Sequence, residues 1–333
     1  MKKLLLLLII PSIALLTASL VCAQDIQAFI WDSTNGMRAL GSLGGDSYAT
    51  GINDSGQVVG YSYLSDQFTT HSFIWTETTG MVDIGGPGGF ESIALAINSD
   101  GNVCGFGTDT ESRQVAFYWT PNDGFNLFSH GGAYGINNRN EVTGQMPIGG
   151  SANHAFIWSP GLRRPRDIGT LAGGSNSFAD GINNLQHITG FADDSQGRLQ
   201  IFAWNKVDGF QPLGFVPGST DTGGYAINDR DEIVGAGYTV SGAVVGFYTR
   251  TTGRRALLQT LGGDQSAGIA INQTGIIAGY GTLPSELSHA TIWSTPTSAP
   301  QDLGTLGGGN AGSSAGGLNN AGQVVGWTVV SSR

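Results

Sequence analysis

The chain has 333 residues and a formal net charge of −10, with 15 Lys and Arg against 25 Asp and Glu. This balance excludes nucleic acid and anionic membrane surfaces as partners, since both are held through basic patches. The 54 glycines follow no Gly-X-Y period, and 40% apolar residues are too many for disorder, so the glycines signal tight turns and close backbone approaches in an ordered chain.

The N-terminus reads as a secretory signal. Met1-Lys2-Lys3 supplies positive charge, the run from Leu4 to Leu16 is apolar, and Val21-Cys22-Ala23 suits peptidase cleavage. Residues 1–23 are therefore assigned to a signal peptide and 24–333 to one mature domain. Val21 is too bulky for the alternative, a lipoprotein anchored through Cys22. No later stretch reaches the roughly 20 apolar residues of a membrane helix, so no membrane insertion is expected after cleavage. The mature chain keeps one thiol, Cys104, so it holds no internal disulfide and depends on packing.

From Ala28 onward the sequence repeats. A strand-like run, Ala28-Phe29-Ile30-Trp31, returns as Ser72-Phe73-Ile74-Trp75 and Ala155-Phe156-Ile157-Trp158. A second run follows a Gly-containing turn, as in Asp83-Ile84-Gly85, Asp167-Ile168-Gly169 and Asp302-Leu303-Gly304. The third ends on an apolar residue and an anchor Asn: Asn53, Asn98, Asn137, Asn183, Asn228, Asn272 and Asn319, spaced by 45, 39, 46, 45, 44 and 47. The fourth ends on a glycine seven residues past each Asn: Gly60, Gly105, Gly144, Gly190, Gly235, Gly279 and Gly326. An aromatic follows six of these glycines by 13 to 15 residues: Trp75, Trp119, Trp158, Trp204, Tyr248 and Trp293.

Short β-branched or aromatic runs separated by turn residues are strands. The link from Asn53 through Asp54-Ser55-Gly56 to Gln57 is a tight hairpin, with the Asn side chain bonding nearby N–H groups. Residues two and four before each Asn are all Gly or Ala, and the residue directly before it is Ile six times and Leu318 once. Strict alternation would place the small residues on one face and the Ile on the other, suiting the crowded innermost strand of a wheel.

Seven units of about 45 residues with four strands each predict an all-β, seven-bladed β-propeller, a β-solenoid being the alternative. From axis to rim a blade runs Asn-strand, Gly-strand, Trp-strand, Asp-Leu-Gly strand. The chain opens on a Trp-strand and closes on a Gly-strand, so its ends are two halves of the last blade.

The units His71-Ser72-Phe73-Ile74-Trp75, His154-Ala155-Phe156 and Leu306-Gly307-Gly308 through Asn319 to Gly326 resemble the bacterial extracellular repeat called the HAF family. The resemblance spans essentially the whole mature chain. It departs at Gln27, Val115, Gln200 and Val244 in the His position, and at Thr291 in the Phe position. It implies an exported protein and brings no catalytic residues. The chain stops at Arg333 without a sorting tail, so a secreted or periplasmic protein is expected.

The repeated polar residues suit structure better than chemistry. His71, His154 and His289 fall in separate units, too far apart to share a metal, and are read as bonding across their own blades. Asp83, Asp167 and Asp302 are likewise separated beyond the 5–10 Å of a glycosidase pair. His130 and His187 are placed in loops away from carboxylates, Asp193-Asp194 and Asp229 to Glu232 in solvated turns. No catalytic, cofactor-binding or metal-binding residue is assigned and no cofactor is expected. The expected function is a non-catalytic binding or scaffold module, monomeric, presenting loops to glycan or protein; the longest links are 61–71, 106–115, 191–200, 236–245 and 280–289. The alternative is a hydrolase or lyase acting on polysaccharide in the central channel.

Overall fold

A computed structural model describes residues 25–89, 91–252 and 255–330. The expected signal peptide, residues 1–23, lies outside them. Among the described residues no helix is long and apolar enough to cross a membrane.

Among the described residues, twenty-eight strands form seven antiparallel sheets of four. Blades are numbered here by their innermost strands: Gly44–Ile52, Ser92–Ile97, Gly132–Ile136, Ser177–Ile182, Ser219–Ile227, Ser266–Ile271 and Ser313–Leu318. In blade one the order runs outward through Val58–Leu64 and Thr70–Thr76 to Gly80–Gly85. Blade seven is assembled from both ends of the chain. Asp25–Asp32 pairs with Val324–Val330, setting Trp31 opposite Val324 and Ile30 opposite Val325. The sheets form a closed seven-bladed propeller rather than a solenoid, and each inner strand is the Asn-strand.

Every innermost strand carries a bulge. Its pairing slips between the residues four and two before the anchor Asn, as between Ala49 and Gly51 or Ala179 and Gly181. The extra residues are Thr50, Leu95, Tyr134, Asp180, Tyr225, Ile269 and Gly316. This corrects the alternation expected from sequence: an inserted residue resets the period, so the two small residues stand on opposite faces. The one nearer the Asn still forms a hollow for the next blade, since a Cβ on Gly135 would lie 3.4 Å from Ile182 Cγ2.

The same geometry explains the glycine seven residues past each Asn. A Cβ at any of the seven would overlap the carbonyl oxygen of the residue five before the Asn on the inner strand. Opposite six of these glycines stand Phe29, Phe73, Phe117, Phe156, Phe202 and Phe247, each fully buried; opposite Gly279 stands Thr291. At roughly 1.5–3 kcal/mol per buried Phe these rings are a large part of the core. The pairing corrects one assignment. Opposite Ile233, where other blades carry the Trp, stands Thr249, while Tyr248 lies one residue earlier on the other face. The His position of that blade is accordingly Val245.

Core clusters lie between blades. Ala49, Ile52, Val58 and Phe73 of blade one pack on Ala28, Ile30, Leu40 and Val325 of blade seven. A buried hydroxyl latches most of these joints. Ser177 Oγ accepts from Ala155 N at 2.8 Å and donates to Gly169 O at 2.6 Å, tying two strands of blade three to blade four. Ser47, Ser92, Thr222, Ser266 and Ser313 repeat it.

Candidate functional site

The axial channel is the one place where all seven blades contribute side chains. Antiparallel topology puts the Asn hairpins at one mouth and the variable second-to-third-strand links at the other face.

At the hairpin mouth the anchor asparagines form a closed ring. Asn53 Nδ2 donates to the main-chain oxygen of Asn98, Asn98 to Asn137, Asn137 to Asn183, Asn183 to Asn228, Asn228 to Asn272, Asn272 to Asn319, and Asn319 back to Asn53, all at 3.0–3.1 Å. The Oδ1 atoms hold the hairpins: Asn137 Oδ1 accepts from Arg139 N and Glu141 N, both at 3.0 Å. Hairpin bonding is thus as the sequence suggested, but the donation between blades was not legible in it. With 1–5% exposure and their polar atoms engaged, these asparagines leave little for a ligand.

The next residue of each hairpin forms a second, outer ring. The main-chain N–H groups of Ser99, Asn138, Asn184, Asp229, Gln273 and Asn320 donate to a side-chain oxygen of the same position in the next blade, at 2.7–3.0 Å. The step from Asp54 to Ser99 lacks this bond, because a serine oxygen reaches less far than an amide or carboxylate. Asp54 and Asp229 also accept from the Nδ2 atoms of Asn320 and Asn184. Both carboxylates are therefore held in place by the neighbouring blade. Together with the ring of Ile and Leu318, these residues line a mouth of about 230 Å³. It offers amide and carboxylate groups above an apolar floor.

Deeper in the channel the bulge residues differ from blade to blade. Leu95, Ile269 and Gly316 are apolar and Thr50 donates its hydroxyl to Ala94 O, whereas Tyr134, Asp180 and Tyr225 are polar and come from consecutive blades. Tyr225 Oη lies 2.8 Å from Tyr238 Oη. Burial raises the Asp180 pKa well above the usual carboxylate range.

Away from the axis the repeated polar residues are structural. His71, His154 and His289 place Nδ1 at 2.8–2.9 Å from Asp83, Asp167 and Asp302 of their own blades, so the His and Asp positions explain each other. Four expectations need correction. His130 ends the strand Gly124–His130, opposite Val115, and is not in a loop. His187 Nδ1 meets Asp231 of the neighbouring blade at 2.6 Å, because the hairpins of adjacent blades abut. Asp193 is buried and accepts from Ser175 N, Asn176 N and Asn176 Nδ2. Glu232, only 4% exposed, is no solvated turn residue either. Burial pushes its pKa up, but hydrogen bonds from Asn228, Arg250, Tyr248 and Arg230 outweigh this and hold it at about 2.

No family model matches the chain, and no curated protein matches it in sequence. Solved structures do resemble it, and they are β-propellers. The propeller domain of the Trilobed protease from Pyrococcus furiosus, described as having an open velcro topology, is 12% identical with a TM-score of 0.60, covering 83% of this chain and 86% of that one. TolB from Acinetobacter baumannii is 12% identical with a TM-score of 0.55 over 84% of this chain, which spans 64% of the TolB chain. The BP39L lectin from Burkholderia pseudomallei is 13% identical with a TM-score of 0.50, covering 84% of this chain and 98% of that one. Identities this low establish a shared fold and nothing finer. The chain is a β-propeller, with an axial channel walled by all seven blades.

Proposed function

We propose that the protein is an exported, non-catalytic binding module that takes a glycan at the amide-lined mouth of its channel. The observation that carries this reading is the outer ring of Asp54, Ser99, Asn138, Asn184, Asp229, Gln273 and Asn320 above the Ile floor. Sugars present hydroxyl edges and C–H faces, and a polar rim over an apolar floor answers both. The signal-like N-terminus and the HAF-type repeat support export, and the lectin among the structural neighbours supports a carbohydrate ligand. Few side chains need to move, since the ring is already hydrogen-bonded in place, which reduces the ordering cost of binding.

A glycan array followed by calorimetry on the best ligand tests the proposal. Saturable binding that weakens at least about tenfold in Gln273→Ala, or on shortening Asn320 to Ala, is expected. Binding indifferent to both changes would move the site elsewhere, and release of reducing ends from a polysaccharide would replace a binder with a hydrolase or lyase. A protein partner is the second reading, favoured by Phe68 and Val240, exposed at 81% and 89% on second-to-third-strand links.

A further inference from the structure

The channel interior holds an arrangement that the mouth does not explain. Asp180 is the bulge residue of blade four, set on the free inner edge of the innermost strand. Its carboxylate makes no hydrogen bond among the described residues, and although the residue is partly exposed, burial disfavours the charged form. Tyr134 and Tyr225 hold the same bulge position on the blades either side of it; desolvation raises the phenol pKa values of Tyr134, Tyr225 and Tyr238, and the charge of Asp180 raises each further. Tyr280 of blade six adds to the field at Tyr225. Tyrosines are the only ionisable groups that these interactions bring to Asp180; no cation is among them.

Two further features set the interior apart from the repeat. Tyr134 and Tyr225 each fold back over a glycine two residues earlier: a Cβ on Gly132 would lie 2.8 Å from Tyr134 Oη, and one on Gly223 3.1 Å from Tyr225 Cε1. Other blades carry Tyr48, Ile93, Phe178, Ala267 or Ser314 there, so space for the two rings is specific to these blades. Gln145, 6% exposed, faces the Tyr134 hydroxyl, and its Oε1 is buried without a hydrogen-bond donor. An unpaired carboxylate, a second acceptor lacking a donor and several tyrosine rings thus share one side of the channel. Leu95, Ile269 and Gly316 on the other side are apolar, and Thr50 between Gly316 and Leu95 donates its hydroxyl to Ala94 O at 2.8 Å.

We infer that the channel interior is a binding site for a small organic ammonium ion, with Asp180 as counter-ion, tyrosine rings around the cation and the Leu95–Ile269 side for its alkyl part. A carboxylate in low dielectric is costly unless neutralised, and an ammonium ion restores that balance while aromatic faces attract it. A neutral polyol would leave the carboxylate unpaired. This inference is independent of glycan binding at the mouth.

Calorimetric titration of the full protein with n-butylammonium chloride, with 1-butanol as the neutral comparison, tests it. Saturable binding at pH 8 is expected for the ammonium salt and at least about tenfold weaker binding for the alcohol. Asp180→Asn should weaken ammonium binding by at least about tenfold while leaving the alcohol unchanged. Acidification should weaken binding to the wild type, because the protonated carboxyl loses its charge, and this pH dependence should vanish in the variant. Asp180→Asn should also melt no lower than the wild type, since it removes a desolvated charge, so loss of binding cannot be ascribed to unfolding. Equal affinity for salt and alcohol, unchanged affinity in the variant, or no saturation by the ammonium salt would each overturn the inference.

Discussion

Replacing Asn272 by Asp separates two roles that the anchor asparagine combines. Asn272 Oδ1 accepts from Thr274 N, Thr274 Oγ1 and Ile276 N at 2.8–3.1 Å, while its Nδ2 donates to Asn319 O at 3.1 Å. Asp keeps every acceptor bond and suits such turns, so a residue needed only for its hairpin would tolerate the change. The ring reading predicts the opposite. The donor becomes a carboxylate oxygen facing a carbonyl at a position 4% exposed. One hydrogen bond is lost, worth about 1 kcal/mol, leaving Asn319 O with Gly322 N as its remaining donor; and a charge is desolvated against that carbonyl, costing a further ~2–4 kcal/mol. The sum is about 3–5 kcal/mol at pH 7. Asn272→Ala loses all four bonds but introduces no charge, so a cost of about 2–4 kcal/mol is expected.

Urea midpoints for the three proteins, read at constant slope, give the comparison. Acid supplies a second check. The carboxyl introduced by Asn272→Asp would have its folded-state pKa raised by burial and the facing carbonyl. Its penalty is therefore absent below the unfolded carboxyl pKa of about 4 and grows as pH rises through the folded value. The gap to the wild type should narrow as pH falls toward 4, because a protonated carboxyl can donate to Asn319 O. If the Asp variant stays within about 1 kcal/mol of wild type at pH 7 while Ala is clearly worse, the asparagines are turn residues and the ring is incidental.

Gly190→Ala should prevent folding or cost more than about 4 kcal/mol, because its Cβ would occupy the position of Phe178 O; a urea midpoint little changed would show that the two strands can part. Ser177→Ala strands a buried N–H and a part-buried carbonyl, for about 2 kcal/mol by the same assay, and a neutral result would remove the latch. Glu232→Gln should destabilise by about 2 kcal/mol at pH 7, discounted because the pairing Arg230 and Arg250 are half-exposed. With its pKa depressed from 4.5 to about 2, Glu232 contributes stability that is present above about 4.5 and lost as pH falls through about 2, so the difference should disappear in acid; a difference constant with pH would contradict the ion cluster. Deleting residues 25–41 removes two strands of blade seven and bares the edge of Val324–Val330, so aggregation is expected in light scattering; a monomer with full-length melting behaviour would contradict closure through the termini.

What the sequence disclosed follows from how each constraint acts on residue type. The glycine seven past each Asn is invariant because no side chain clears the inner-strand carbonyl, and the Asn is invariant because no other residue both caps the hairpin and donates to the next blade at that reach. A steric or two-sided polar demand leaves one residue type, so it is visible at every copy. The bulge leaves no such mark. It is a relation between two strands, and its extra residue is Thr, Leu, Tyr, Asp, Tyr, Ile or Gly in turn. Tyr248 was misplaced for the same reason: an aromatic suits either face of the third strand, and only pairing shows that Thr249 stands opposite Ile233. The latch does leave a mark in the sequence: a Ser or Thr stands six residues before every anchor except Asn137, where Gly131 takes its place.

The candidate sites were hidden by the regularity that revealed the fold. Sevenfold residues are accounted for by packing: the ring asparagines bond one another, the histidines bond their own aspartates, and the serines tie blades together. The proposed binding sites use positions where the copies differ while the backbone places them alike. The bulge is such a position: its residue type changes from blade to blade, although Thr50 there bonds Ala94 O of the next blade at 2.8 Å. Asp180 is a single carboxylate there among six other residue types or copies, and Tyr134 and Tyr225 flank it on blades that alone carry Gly132 and Gly223 to accommodate them. The outer ring behaves in the same way at the mouth: Ser99 and Asp54 interrupt a chain of hydrogen bonds that the other copies continue, which marks one side of an otherwise regular opening.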